Sequence, residues 1–351
     1  MFGIDARTLR IAWTVFLFAL VVFLVYLTGR TLVLFTLAIF LAHLLGPIAE
    51  RVQRMLPRRW ASRNLSLAIV FILLIVVLTT VVVPIFSQVG QQAAALANRL
   101  PDILKSDPLA NFQLPEWMEP LRARVTEILR ASMADFDAKL IPLLRDAGAN
   151  IASLVGSALA LVLIPILSFL FLHDSQGIQS GLVSLAPKGS QLVVEEILQD
   201  LHRLLVEYIR ALVVLAAVVL VVYSTVLYLL GVPFAVLLST LAALLEIIPF
   251  AGPLVSAALI MLVALLMGYP HMLAVFVFLV VFRMAQDYVL SPKLMSSGVE
   301  IHPLLVLFGV FAGEQIAGIP GMFFSVPVIA GLRVIFVRMR RKSLRTDAAV
   351  L

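Results

Sequence analysis

Leu245-Glu246-Ile247-Ile248-Pro249-Phe250-Ala251-Gly252-Pro253 decides how this chain folds. It interrupts an apolar run, Val236 to Met267, that is longer than one membrane crossing needs. Two prolines and a glycine so close together remove backbone donors and break a helix. The flanking halves, of about 12 and 15 residues, reach only ~18–23 Å at 1.5 Å per residue. That is short of the ~30 Å hydrocarbon core of a bilayer. A re-entrant hairpin, two half-helices entering and leaving on one side, fits these lengths. A single kinked span is the alternative.

A related pattern follows one span later, after Met272 to Leu290. Gly298-Val299 leads to Glu314 and then Gly318-Ile319-Pro320-Gly321, much as Gly231-Val232 leads to Glu246 and Pro249 to Pro253. Each unit has a long span, a Glu-bearing apolar half-helix, a Gly/Pro break and a second half, which reads as a weak internal repeat. The hairpin breaks are Pro249, Gly252 and Pro253 in the first unit and Gly318, Pro320 and Gly321 in the second.

The rest of the composition agrees with a bilayer as solvent. Of 351 residues, 62% are hydrophobic and 13% charged, and the mean hydropathy is +1.09. Soluble domains carry about 25% charged residues. Cysteine is absent, which excludes disulfides, thiolate metal sites and cysteine nucleophiles. The net charge of +6 comes from basic residues beside apolar runs, as cytoplasmic loops require, so no nucleic-acid partner is expected.

Charge also sets the topology. Ile11 to Leu27 and Thr31 to Leu45 form a hairpin of two spans. Arg51, Arg54, Arg58, Arg59 and Arg63 surround the next loop and place it, with the N-terminus, in the cytoplasm. Leu65 to Phe86 then leads outward to a polar, near-neutral segment, 88–150, where Leu121 to Leu144 has the apolar spacing of short amphipathic helices. Ile151 to Leu172 returns. Ser190 opens an amphipathic helix expected to run unbroken into the span Ala211 to Leu230, about 60 Å in all. Arg338, Arg340, Arg341, Lys342 and Arg345 place the C-terminus inside.

The expected fold is therefore all-α and polytopic, with about eight membrane segments, two of them re-entrant broken-helix hairpins related as an inverted repeat. The organisation is a scaffold (1–87), an extracytoplasmic helical segment (88–150), a fourth span with the cytoplasmic helix (151–210), a transport core (211–337) and a basic tail (338–351). In secondary transporters such inverted units hold the substrate site between discontinuous helices.

Ionisable groups inside a membrane are costly and mark function. Glu246 and Glu314 at the breaks, with Gln286 and Asp287 at the end of the Met272 span, are the pathway candidates. Arg283, one turn before Asp287, is positioned to pair with it. There is no Gly-rich loop ending in Gly-Lys-Ser/Thr, so a P-loop ATPase is not expected. Histidines 43, 173, 202, 271 and 302 are scattered singly, and no nucleophile–base–orienter set is visible. Neither an enzyme nor a metal or cofactor site is expected, beyond a coupling ion, sodium or proton. His302 before Pro303 reads as a helix-start residue.

Ile248-Pro249-Phe250-Ala251-Gly252-Pro253 resembles the Ile-Pro-aromatic-x-Gly-Pro signature of the autoinducer-2 exporter family, or PerM-like permeases. Asp287-Tyr288-Val289-Leu290-Ser291-Pro292-Lys293, Ile301-His302-Pro303, Gly313-Glu314 to Gly318-Ile319-Pro320-Gly321 and Val326-Pro327 resemble its later motifs in order. Departures are Ala211-Leu212 after Tyr208-Ile209-Arg210, where many members have Gly-Gln, and Pro320 in a spacer position. The resemblance implies a bacterial inner-membrane transporter of an autoinducer-2-like signal or of sodium (lithium) against protons. It also implies a homo-oligomer, with a pentamer as one form.

Three functions follow as expectations. The first is a gradient-driven permease for a small polar solute, with the pathway between the hairpins. The second is a sodium(lithium)/proton antiporter using the same carboxylates on a monovalent cation. The third is a non-transporting membrane scaffold that recruits partners through the Ser190 helix and the outer segment.

Overall fold

The computed structural model describes residues 13–105, apart from 18, 21, 22, 24–26 and 60, then 158–294 and 302–350. Among the described residues every regular element is helical. The amphipathic helices expected between Leu121 and Leu144 lie outside them.

Helix α1, Gly29–Met55, carries Pro47 in its interior. Helix α2, Arg63–Val77, starts at Ser62, whose side chain accepts from the Leu65 N–H and so satisfies one of the orphan donors of a helix start. It runs through a π-turn, Leu78–Val82, directly into α3, Val83–Lys105. Pro84 explains the wide turn: it has no N–H for the carbonyl four residues back, and its ring crowds that turn.

The α2–α3 rod runs past the expected end of the third span. The third span was expected to stop near Phe86 and give way to an outer segment, yet the helix continues to Lys105. Polar residues such as Gln88, Gln91 and Gln92 conceal a stripe formed by Val89, Ala93, Leu96 and Ala97. All four are buried in the same core as the C-terminal helices.

Helix α4, Ala158–His173, and α5, Ser175–Ser184, are nearly continuous. At their junction the Arg63 guanidinium donates to the Leu172 carbonyl (2.6 Å) and to Ser175 Oγ (2.7 Å). A cation thus sits on the electronegative C-terminus of α4. Helix α6, Gln191–Leu229, has Ser190 at its N-cap and is unbroken for 39 residues, about 58 Å at 1.5 Å per residue, as its apolar periodicity implied.

The remaining elements are α7, Ala235–Leu245, α8, Ala251–Leu266, α9, Met272–Ala285 with a π-turn Gln286–Leu290, the short α10, Ser291–Leu294, and α11, Pro303–Val350. Helices α6 and α8 end alike. Gly231 and Gly268 adopt positive φ, and the next N–H groups bond back five residues, Val232 to Leu227 and Tyr269 to Ala264. This is the Schellman arrangement that glycine permits.

Among the described residues, five helical stretches are long and apolar enough to cross a membrane: Thr31–Met55, Arg63–Arg99, Lys188–Leu229, Met272–Leu290 and Pro303–Arg340. Val162–His173, Ala235–Leu245 and Ala251–Leu266 are apolar but shorter. Large apolar side chains such as Ile72, Val221 and Phe311 face outward from these helices, which suits lipid rather than water. The chain is a membrane protein.

Packing divides into three cores. One joins α3, α6, α7, α8 and α9, with Leu227, Ile260, Ala264 and Val275 at its centre. A second joins α1, α2 and α4 through Leu45, Leu67, Val70 and Phe169. Between them, Phe40 of α1 packs on Tyr208 and Leu212 of α6 and on Phe323 and Phe324 of α11. Helix α6 therefore belongs to two cores at once.

Candidate membrane-pathway site

The Pro249-Phe250-Ala251 break is a tight turn with a specific geometry. The Ala251 N–H donates to the Pro249 carbonyl across one residue, at 2.7 Å. Phe250 between them has φ 62° and ψ −52°. This is a γ-turn of the strained hand, rare for a bulky side chain. The Gly252 N–H reaches back to the Ile248 carbonyl, and a Cβ on Gly252 would overlap the Leu245 carbonyl. Helices α7 and α8 thus fold back on each other with no room for a side chain at Gly252, and they pack together.

The base of this pair is tied down. Tyr269 Oη, just beyond α8, donates to the Leu230 carbonyl at the end of α6 (2.5 Å). The open ends of α7 and α8 therefore lie beside the C-terminus of α6. At the start of α7, Phe234 takes the left-handed conformation and cannot cap the helix with its side chain. Gln92 of α3 supplies the acceptor instead, taking the Leu237 N–H at 2.9 Å and satisfying an orphan donor of the first turn.

Glu246 closes α7, 8% exposed, and Gln286 opens the π-turn of α9, 3% exposed. The Gln286 amide donates to the Glu246 carboxylate. A buried ionisable group is costly unless hydrogen-bonded, and the amide meets that requirement without a countercharge. π-Turns inside α-helices recur at functional sites; here the turn holds Gln286 inward while its neighbour Asp287 is exposed. Asp287 pairs with Arg283, Nε to Oδ2 at 2.9 Å.

Tyr223 of α6 forms the adjoining wall, with its ring edge-on to Phe278 (5.1 Å) and Phe282 (5.0 Å). One residue on, Ser224 Oγ meets Ser239 Oγ of α7 at 2.7 Å. Ser239 and Glu246 are seven residues apart and share a face of α7. Sequence reading named Glu246, Gln286 and Asp287 but missed Tyr223, Ser224, Ser239 and Gln92. Uncharged polar side chains in apolar runs carry little signal until a partner is seen; the seven-residue spacing of Ser239 and Glu246 was the available clue.

The second broken unit also folds back. Helix α11 has non-helical backbone at Ala317 and at Gly318, whose φ 61° and ψ −140° suit only glycine. A Cβ on Gly313 would overlap Gly321, and one on Gly309 would meet Ile329 and Ser325. In a continuous helix Gly309 and Ile329 would be about 30 Å apart. The arms, 303–316 and 319–350, therefore run antiparallel in contact. Pro320 lies in the first turn of the second arm, where a missing N–H costs nothing. His302 starts the first arm, with its carbonyl accepting from Leu305 and its Nδ1 from the Leu304 N–H. Glu314 is exposed on that arm and is not bonded to Glu246.

The second arm runs along the first half of α6. Tyr208 Oη donates to the Phe323 carbonyl (3.3 Å), a Cβ on Gly331 would touch Leu201, and Arg338 reaches Glu196 (2.5 Å) and Asp200 (2.6 Å). As α11 numbering rises, α6 numbering falls. The α11 unit thus has its tip toward the middle of α6 and its tail toward the N-terminus of α6, while the α7–α8 unit has its base at the C-terminus of α6.

The profile of the AI-2E family transporter matches residues 13–341. YueF of Bacillus subtilis (strain 168), by name a candidate transport protein, is 22% identical over 308 residues, 84% of this chain and 80% of its own length. YrrI of the same organism, named likewise, is 25% identical over 228 residues, and this chain spans 64% of its length. PerM of Escherichia coli (strain K12), by name a candidate permease, is 25% identical over 288 residues, 79% of this chain and 78% of its own length. The profile match extends over nearly all of the described helices, and on that ground this chain belongs to the AI-2E transporter family.

Proposed function

We propose that this protein is a secondary transporter of the bacterial inner membrane, moving a small polar solute along a pathway between its two folded-back helix pairs. The observation that carries the reading is the buried Glu246–Gln286 bond at the tip of the α7–α8 pair. A broken helix, a strained turn and a buried carboxylate converge there, which is where transporters with discontinuous helices place their sites. Both pairs are re-entrant in this reading. The α7–α8 pair opens outward and the α11 pair to the cytoplasm, where both termini lie, so the two form an inverted repeat.

Glu246, Gln286, Asp287 and Glu314 line the pathway. Carboxylate and amide groups suit the hydroxyls of a compact solute, and an autoinducer-2-like signal is the class the family name suggests. Transport is driven by an ion gradient rather than by ATP, and the working unit is a homo-oligomer, with a pentamer as one form. A second reading has a specific observation in its favour: Glu246 is bonded to a neutral amide, which leaves the carboxylate free to exchange a proton for sodium. In that reading the protein is a sodium(lithium)/proton antiporter on the same residues.

The test is flux into proteoliposomes holding the full chain, with autoinducer-2 as one probe and sodium under an imposed proton gradient as the other. Gradient-dependent flux of either probe, reduced at least about tenfold in Glu246→Gln, supports the pathway. Flux unchanged by that substitution contradicts it. Tolerance of Pro249→Ala with Gly252→Ala, together with loss of function on deleting 190–206, would return the scaffold reading.

A further inference from the structure

Arg283 pairs with Asp287 near the surface of α9, yet its position on that helix gives it a second partner. Gln286 is three residues on and Asp287 four, so both stand one turn above Arg283 on adjacent faces. Gln286 is bonded to Glu246, and the Phe282 ring beside Arg283 packs on Tyr223. The guanidinium therefore has an exposed carboxylate on one side and a buried one on the other. It is 37% exposed and its partner Asp287 46%, so solvent weakens the pair that holds it on the outer side.

We propose that Arg283 is shared between Asp287 and Glu246: it rests on Asp287 while the Gln286 amide holds Glu246, and it turns inward to neutralise Glu246 when that amide is displaced. Arg283 is thus a positioning residue for the pathway, acting through Glu246. Among the described residues, the groups whose charge acts on Glu246 are Arg283 and Asp287 from α9, and the titratable side chain facing it from α6 is Tyr223. Arg283 is the one cation among these three. The inference rests on the transport reading for its purpose, but its test needs no transported substrate.

The test is a double-mutant cycle on the full-length protein in detergent or lipid, read as apparent Tm. Arg283→Gln lowers the Tm by about 5 °C, the scale expected when two carboxylates lose the cation they share, and Arg283→Lys, which keeps the charge, retains most of the stability. The deciding comparison is Glu246→Gln in the two backgrounds. If Arg283 serves Glu246, the substitution raises the Tm more in the Arg283→Gln protein than in the native one. An equal effect in both backgrounds overturns the proposal, as does an Arg283→Gln loss that only Asp287→Asn repairs. Should Arg283→Gln yield no folded protein, recovery of a monodisperse protein in Arg283→Gln/Glu246→Gln supports the proposal, and recovery only with Asp287→Asn overturns it. Flux plays no part in these readings, so their failure leaves the transporter assignment standing, and the converse holds.

Discussion

The Gln286 amide donates a hydrogen bond to the Glu246 carboxylate, joining two residues forty positions apart and fastening the tip of the α7–α8 pair to the π-turn of α9. Inside an apolar core a polar group is costly unless hydrogen-bonded, and this bond meets that need for both residues. Glu246→Gln keeps the size and one hydrogen bond but removes the charge. The expected outcome is a folded protein whose apparent Tm stays within about 3 °C of the native value, with flux reduced at least about tenfold. Thermal melts and proteoliposome flux on the same preparation check it.

The γ-turn at Phe250 stores strain of order 1–3 kcal/mol. Its side chain is 51% exposed, so Phe250→Gly sacrifices little packing while relieving the backbone. The apparent Tm should rise by about 2–4 °C. Gly252→Ala should do the opposite, because its Cβ would meet the Leu245 carbonyl, which cannot move aside as a side chain can. Paired melts of the two variants give opposite signs if the turn is built as described.

Because the chain has no cysteine, a designed pair reports contact without background. A Cβ on Gly309 would lie 3.3 Å from Ser325 Cβ, close to the spacing of a disulfide. Gly309→Cys/Ser325→Cys should form an intramolecular disulfide on mild oxidation, seen as a shift on non-reducing gels. In a straight helix the two positions would be about 24 Å apart, and no bond would form.

Arg338 of α11 bridges Glu196 and Asp200 of α6, and all three side chains are partly open to solvent. Arg338→Ala should lower the apparent Tm at low ionic strength. The difference from the native protein should shrink at about 1 M salt, where screening reaches within a few ångströms. A loss that does not depend on salt would mean that packing of the arginine stem matters more than its charge.

Much of this architecture is legible in the residues, and the illegible parts have definite causes. Prolines and glycines around Glu246 and Gly318 mark both breaks because they alter the backbone directly. The continuity of α6 follows from its unbroken apolar spacing. The extension of α3 was hidden because glutamines and an asparagine on its outer face mask Val89, Ala93, Leu96 and Ala97. The two π-turns have no residue code of their own, although Pro84 accounts for one in hindsight. Ser224 and Ser239 became informative only when α6 and α7 were seen to touch. About eight membrane segments were expected; among the described residues five helical stretches are long enough to cross, and the folded-back α7–α8 pair accounts for two of the three shorter ones.

The most direct test of the central claim is sidedness. His271, at the base of the α7–α8 pair, His302, at the start of the α11 unit, and Ser184, at the end of α5, are all exposed. Single cysteines at these positions, labelled with a membrane-impermeant maleimide in intact and then permeabilised cells, report which face each occupies. The re-entrant account expects His271→Cys to label in intact cells and His302→Cys and Ser184→Cys only after permeabilisation. Labelling of His302→Cys in intact cells, or protection of His271→Cys until permeabilisation, would contradict it.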